Sequence, residues 1–189
     1  MMHRRDVVRR LLEDRDGLLV VAGLGSTAWD CTAAGDSPLT FPLWGAMGLA
    51  ATIGLGLALA QPARRVLVVT GDGEMLMGLG SLATIGVQRP GNLAIAVIDN
   101  ERYGETGMQA THTASGVELA GVARGCGFAK ALLVTEEAGL EEARRLLLRE
   151  PGPVLAQIKV IPETLPLALP PKEGVLLKDR FRRALLGAA

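Results

Sequence analysis

The sequence predicts an α/β domain: a doubly wound, mainly parallel sheet with helices on both faces. Three observations carry this reading. Several short runs are almost wholly aliphatic, among them "LLVV", "RRVLVV", "GNLAIAVI" and "GPVLAQI". They alternate with segments of helical spacing, the order expected of a parallel sheet covered on both sides. Three runs end in loops rich in glycine and polar residues, "GLGST", "TGDGE" and "DNERYGETG". Strands of one sense end on the same edge of a sheet, so these loops are expected to converge there.

Each element follows from its local pattern. Val7 to Leu12 has the spacing of an amphipathic helix, and Leu18 to Thr27 reads as a buried strand running into a glycine turn. Leu43 to Ala60 carries no charge and nearly reaches the ~18 residues of a membrane helix. Gly45, Gly48, Gly54 and Gly56 fall inside it, and "QPARR" and a second apolar strand follow at once. A buried core helix is therefore expected, with no membrane partner. Arg64 to Gly73 is the second strand, Met75 to Gly86 a helix and Gly91 to Asn100 the third strand. Val117 to Cys126 is helical, and Ala129 to Val134 is a short strand. Thr135 to Glu150 predicts a helix capped by Thr135, with acids early and Arg late. Gly152 to Val160 is a fifth strand. Pro162, Pro166, Pro170 and Pro171 predict an extended arm, and Val175 to Leu186 a final helix. Residues 1–160 thus read as one domain. Residues 161–189 read as an arm and helix packing on that domain or on a partner subunit.

Composition narrows the function classes. The chain has 189 residues, 49% of them apolar, enough for one real core. Lys+Arg and Asp+Glu are both 20. That balance lacks the basic footprint of a nucleic-acid binder and gives little bulk repulsion against oligomerisation. Cys31 and Cys126 form no CxxC pair, so neither a disulfide framework nor a zinc site is indicated. Both suit small core positions. The N-terminal stretch is charged and helical rather than signal-like, and a cytoplasmic location is expected.

The three loops offer a coherent chemistry. Gly25, Gly71 and Gly73 permit close backbone approach, and Ser26 adds a hydroxyl. Helix N-termini follow the first two loops, and their free N–H groups suit a phosphate. Asp72 and Asn100 offer hard oxygen ligands directly after buried strands. Mg²⁺ commonly takes one or two carboxylates together with phosphate oxygens and water. The residues therefore read as a diphosphate held through Mg²⁺. Taken singly, "GDG" and "DN" are ordinary turn sequences; their placement at strand ends of one sheet favours the site.

Gly71-Asp72-Gly73, followed after a stretch by Asp99-Asn100, resembles the fingerprint of thiamine-diphosphate enzymes. "LWGAMG" (residues 43–48) and "GLGST" (residues 23–27) resemble two further segments of the decarboxylases in that family. The resemblance covers about residues 18–160 and points to the diphosphate-binding, PP-type domain. "GLGSLATIG" and "NERYGETGMQATHT" look most like the PP parts of sulfopyruvate and phosphonopyruvate decarboxylases.

That resemblance implies roles. Asp72 and Asn100 would bind Mg²⁺ through their side chains, and Arg102 through its carbonyl. Gly25, Ser26, Gly71, Gly73 and Glu74 would line the diphosphate. Gly45 would meet the aminopyrimidine through its backbone, and Trp44 is a further candidate for cofactor binding. Trp44 equally suits a core or an interface. Met47 would be the apolar wedge beneath the thiazolium ring, and Tyr103, Gly104, Glu105 and Thr106 would lie near the reactive ring. Met47, Glu105, Thr106 and His112 are the catalytic candidates; His112 reads either as a proton donor or as a solvated loop residue. The implied reaction is decarboxylation of a small 2-oxo acid with thiamine diphosphate and Mg²⁺.

Two positions depart from the pattern. Glu74 stands where decarboxylases often carry Ser, and a carboxylate there must be offset or turned away from a diphosphate. Glu105 stands where close relatives carry Ser, and an acid there disfavours a substrate with an anionic tail. The family's activating glutamate lies on a PYR domain, for which one chain of this length has no room. A separate PYR-domain subunit is therefore the expected partner. Two alternatives remain open from sequence: the beta subunit of a 2-oxo acid oxidoreductase, and a non-catalytic cofactor-binding or assembly module.

Overall fold

The computed structural model describes residues 1–15 and 17–187. Among the described residues there are eight strands and eight α-helices: α1 (Arg4–Leu12), β1 (Leu19–Ala22), α2 (Ser26–Ala33), β2 (Thr40–Pro42), α3 (Ala50–Ala60), β3 (Val66–Gly71), α4 (Asp72–Met77), α5 (Ser81–Gln88), β4 (Leu93–Asp99), β5 (Arg102–Tyr103), β6 (Gln109–Ala110), α6 (Leu119–Gly125), β7 (Lys130–Val134), α7 (Leu140–Arg149), β8 (Val154–Lys159) and α8 (Gly174–Leu186). Six strands form one sheet in the order β2-β1-β3-β4-β8-β7, and every pairing in it is parallel. β5 and β6 form a separate antiparallel hairpin.

The alternation of strand side chains builds two cores. Val20, Ala22, Leu67, Val69, Ala96 and Ile98 face α1, α2 and α7. Leu19, Val21, Val68, Ile95, Val97 and Leu155 face α3, α5 and α6. β4 is buried at every position. Both faces must therefore be apolar, and β-branched residues fit the pleat there. Each fully buried aliphatic side chain contributes roughly 1.5–3 kcal/mol. Glycines bring the helices close: a Cβ on Gly54 of α3 would lie 2.2 Å from Val68 Cγ2 of β3.

The sheet order also fixes where a ligand can sit. From β1 the chain turns one way to β2, then crosses back to place β3 on the other side of β1. The connections diverge between β1 and β3, and a crevice opens outside their carboxyl ends.

Several local expectations are corrected. The helix expected over Leu43–Ala60 begins only at Ala50, because Ala46 (φ 60°) and Gly48 (φ 90°) adopt left-handed backbone that a helix cannot include. The segment Met75–Gly86 is two helices, α4 and α5. The break is at Gly78, where a Cβ would stand 2.0 Å from the carbonyl oxygen of Gly48. Thr135 caps nothing: a short 3₁₀ turn over Glu137–Gly139 intervenes, and α7 starts at Leu140 with Gly139 at its N-cap. The sheet has six strands rather than five, since the short edge strand β2 was not anticipated. No helix of the described residues is long and apolar enough to cross a membrane.

The arm has no regular structure between residues 161 and 173. It lies against the domain through Glu163, which accepts from the Arg4 backbone N–H at 3.1 Å, and through the Pro171 carbonyl, which accepts from Trp44 Nε1 at 2.8 Å. α8 then packs at the β2 edge, where Phe181 meets Phe41 edge to face at 5.5 Å.

The α5–α6 contact makes a direct test of this packing. A Cβ on Gly86 would stand 1.7 Å from the Cys126 carbonyl oxygen, a backbone atom that cannot rotate away. Gly86→Ala is expected to destabilise the fold by about 1–3 kcal/mol, read as a lowered melting midpoint. An unchanged midpoint would contradict the close approach of the two helices.

Candidate functional site

The crevice at the β1/β3 switch point encloses about 190 Å³. β1 delivers Leu24, Ser26 and Thr27; β3 delivers Gly71, Asp72, Gly73 and Glu74; β4 delivers Ile98 and Asn100. The hairpin closes one side with Arg102, Tyr103, Gly104, Glu105 and Thr106. Met47 and Arg4 complete the wall.

Asp72 is the first residue of α4 and is 1% exposed. Its Oδ2 accepts from Thr111 Oγ1 at 2.6 Å and from Thr113 Oγ1 at 3.2 Å. Thr113 also reaches Asp99 Oδ1 at 2.8 Å, and Asp99 is held by Gln157 Nε2 at 2.6 Å and Lys159 Nζ at 2.9 Å. Burial pushes the Asp72 carboxyl up to about 6; the nearby Asp99 charge adds to the rise, and the threonine hydroxyls oppose it. A carboxylate so placed is fixed in position and short of positive charge, the condition in which a divalent cation binds favourably.

Asn100 turns the chain out of β4. Its Oδ1 accepts the Arg102 backbone N–H at 3.0 Å, and Glu101 adopts a left-handed φ of 63°. This turn leads into Arg102, which lines the same crevice as Asp72. Among the described residues no three His, Cys, Asp or Glu side chains gather into a group able to hold a metal by themselves. One carboxylate, one amide oxygen and a carbonyl suit Mg²⁺ only when the ligand adds oxygens of its own, as a diphosphate does.

Glu74 is 4% exposed and turns beneath the first loop. Its Oε2 accepts from Thr70 Oγ1 at 2.8 Å and would lie 1.9 Å from a Cβ on Gly23. Its Oε1 is buried without a hydrogen-bond partner. Burial raises its pKa; the Thr70 hydroxyl and the backbone amides of Leu24, Gly48 and Ala50 oppose this.

The remaining expected residues divide into those inside and those outside the crevice. Tyr103 presses its ring on Gly73, where a Cβ would meet Tyr103 Cε1 at 2.5 Å. Glu105 is exposed at the rim, with Oε1 2.8 Å from the position a Cβ would take on Gly25. Gly25 itself has φ 75° and sits at the N-cap of α2. Thr106 donates to Gln109 Oε1 at 2.8 Å. Above Gly71 a Cβ would meet nothing within 4 Å, so the space there is open to a ligand. Trp44 and Gly45 are exposed and outside the crevice, as is His112, which begins a 3₁₀ turn. Sequence reasoning missed Arg4, Thr111 and Thr113. The "THT" stretch shows hydroxyls at alternate positions, but nothing local ties them to Asp72.

Comparison with known proteins shows the family. Residues 25–158 match the family model described as "Thiamine pyrophosphate enzyme, C-terminal TPP binding domain". The protein named sulfopyruvate decarboxylase subunit beta in Methanothermobacter thermautotrophicus is 36% identical over 188 residues, spanning 100% of this chain and 98% of the relative. Phosphonopyruvate decarboxylase of Streptomyces viridochromogenes is 40% identical over 164 residues, but the match spans only 41% of that longer protein. An X-ray structure assigned as a thiamin diphosphate-dependent enzyme, from Mycobacterium smegmatis, superposes with a TM-score of 0.70 at 23% identity. It covers 86% of this chain and 32% of that one, and supports the fold alone. The switch-point crevice, the buried Asp72 and the family match lead to one conclusion: this chain belongs to the thiamine pyrophosphate enzymes, as their C-terminal TPP-binding domain.

Proposed function

We propose that the chain is the thiamine-diphosphate- and Mg²⁺-binding subunit of a 2-oxo acid decarboxylase, acting with a separate PYR-domain subunit that carries the activating glutamate. The observation that carries this reading is the gathering of Asp72, Asn100, Arg102 and Ser26 around one crevice. The end-to-end match to relatives named as beta subunits supports the two-chain arrangement.

Asp72, Asn100 and the Arg102 carbonyl would hold Mg²⁺. Ser26, Gly73 and the start of α2 would receive the diphosphate, with Gly71 leaving room for its approach. When bound, the cofactor supplies a nucleophilic carbon and an electron sink for loss of carbon dioxide from a 2-oxo acid. The chain's own residues position and enclose it. Met47 provides an apolar surface on the crevice wall, and the hairpin from Arg102 to Ala110 shields the mouth from water. Glu105 and Thr106 stand at the rim, where a small substrate would enter. The negative charge of Glu105 favours a substrate without a second anionic group.

Titration calorimetry of the chain with thiamine diphosphate and Mg²⁺, followed by assay of carbon dioxide release with and without the companion subunit, tests the proposal. Binding, and release only with the companion, is the expected result. Full decarboxylase activity of the purified chain alone would refute the two-chain arrangement.

Asp72→Asn is expected to weaken Mg²⁺-dependent cofactor binding by about 100-fold or more, an effect at the upper end of that for support residues around a metal. The same change should stabilise the free protein. A folded-state pKa near 6 lies above the ordinary value of 3.8, so the native state holds the proton more tightly than the unfolded chain. Asp72 therefore lowers stability as pH rises between about 4 and 6, by roughly 1–3 kcal/mol in all. Urea unfolding at pH 4 and pH 7 should show this loss in the wild type and not in Asp72→Asn. Equal pH dependence in the two proteins would contradict the burial of an ionisable Asp72.

Met47→Ala is expected to leave cofactor affinity within about threefold while lowering kcat; a large loss of affinity with kcat intact would reverse the assigned role. Glu105→Ser should lower KM for a 2-oxo acid with an anionic tail, relative to pyruvate, by about threefold to tenfold. An unchanged ratio would remove Glu105 from the entrance.

A further inference from the structure

We propose that Arg4 is a direct anion ligand of this crevice, presenting guanidinium N–H groups to the terminal phosphate of a bound diphosphate. The proposal rests on the cofactor reading above and extends it to a residue that neither the sequence motifs nor the family fingerprint singles out.

Arg4 is 3% exposed, a rare state for arginine unless its charge is employed. It reaches the crevice from the first turn of α1. Its Nη1 is bonded to Asp30 Oδ2 and to the Ser26 carbonyl at 3.2 Å. Its Nε is buried without a partner, and Nη2 makes no hydrogen bond among the described residues. The side chain is thus held at one corner while the rest of its planar fork is unused, on the wall shared with Ser26, Thr27 and Gly73. That fork matches the oxygens of a phosphate.

Charge accounting points the same way. Asp30, 0% exposed, is paired with two arginines, since Arg5 Nε also donates to its Oδ1 at 3.0 Å. The trio of Arg4, Arg5 and Asp30 therefore carries one uncompensated positive charge beside the α2 N-terminus. The crevice also has three carboxyl groups, on Asp72, Glu74 and Glu105. Its other cation, Arg102, spends Nη1 on the Glu101 carbonyl at 2.8 Å. A diphosphate entering this acidic wall needs positive charge on the α2 side as well as a cation at Asp72. Anchoring α1 does not require Arg4: Val7, Val8 and Leu11 are in the core, and Met2 bridges to Val160.

The test uses the full chain titrated with Mg²⁺ and inorganic pyrophosphate by calorimetry, with thermal melts alongside. The paired change Arg4→Gln with Asp30→Asn removes both buried charges, and leaves the charge of Arg5 on a side chain that is 25% exposed and open to water. It is expected to weaken Mg²⁺-pyrophosphate binding about tenfold or more, while Arg9→Gln, exposed on α1 and outside the crevice wall, stays within about twofold of wild type. If the paired variant does not fold, Arg4→Lys keeps the charge but loses the fork and should still weaken binding several-fold. Wild-type affinity in a folded paired variant, or in Arg4→Lys, would overturn the role of Arg4 while leaving the cofactor site standing. Failure of the wild-type chain to bind Mg²⁺-pyrophosphate would overturn both.

Discussion

The architecture of the site depends on one buried carboxylate. Asp72 stands at the β3–α4 junction with almost no solvent contact, and its position is set by hydroxyls that belong to a distant part of the chain. Thr111 and Thr113 follow the β5–β6 hairpin, and Thr113 ties the cluster to Asp99 at the end of β4. Asp99 is in turn fixed by Gln157 and Lys159 of β8. Three neighbouring strands and the hairpin are thereby locked to a single acid. The same network holds the base of the hairpin whose residues line the crevice.

Such a network costs stability in the absence of a cation. Burial raises the Asp72 pKa, and the unpartnered oxygen of Glu74 leaves a second acid incompletely satisfied. Desolvated, incompletely paired acids are tolerated where a ligand completes them. The same reasoning applies to Arg4, whose Nε is buried without a partner. Binding free energy of a charged cofactor would be added to folding free energy, so the loaded protein should be more stable than the free one.

Much of the fold was legible because buried parallel strands leave continuous aliphatic runs. β1, β3, β4 and β8 are all of this kind. β2 was not legible: it is three residues long and contains Pro42, which local pattern reads as a loop. The break between α4 and α5 depends on a contact between Gly78 and Gly48, and no local pattern encodes it. The start of α3 depends on left-handed backbone at Ala46, a residue that normally favours helix. Within the site, Asp72 and Asn100 stood out because each follows a strand end directly. Arg4, Thr111 and Thr113 did not, because their roles arise from tertiary juxtaposition. The outward placement of Trp44, Gly45 and His112 was likewise invisible until the loop paths were known.

In the proposed function, Asp72 and its neighbours hold a cation that in turn holds a diphosphate. Pulsed electron paramagnetic resonance with Mn²⁺ in place of Mg²⁺ tests it most directly. With thiamine diphosphate added, the wild-type chain should show ³¹P hyperfine coupling to the bound Mn²⁺, and Asp72→Asn should lose both the bound Mn²⁺ signal and the coupling. Mn²⁺ bound without phosphorus coupling, or coupling that survives in Asp72→Asn, would contradict the account.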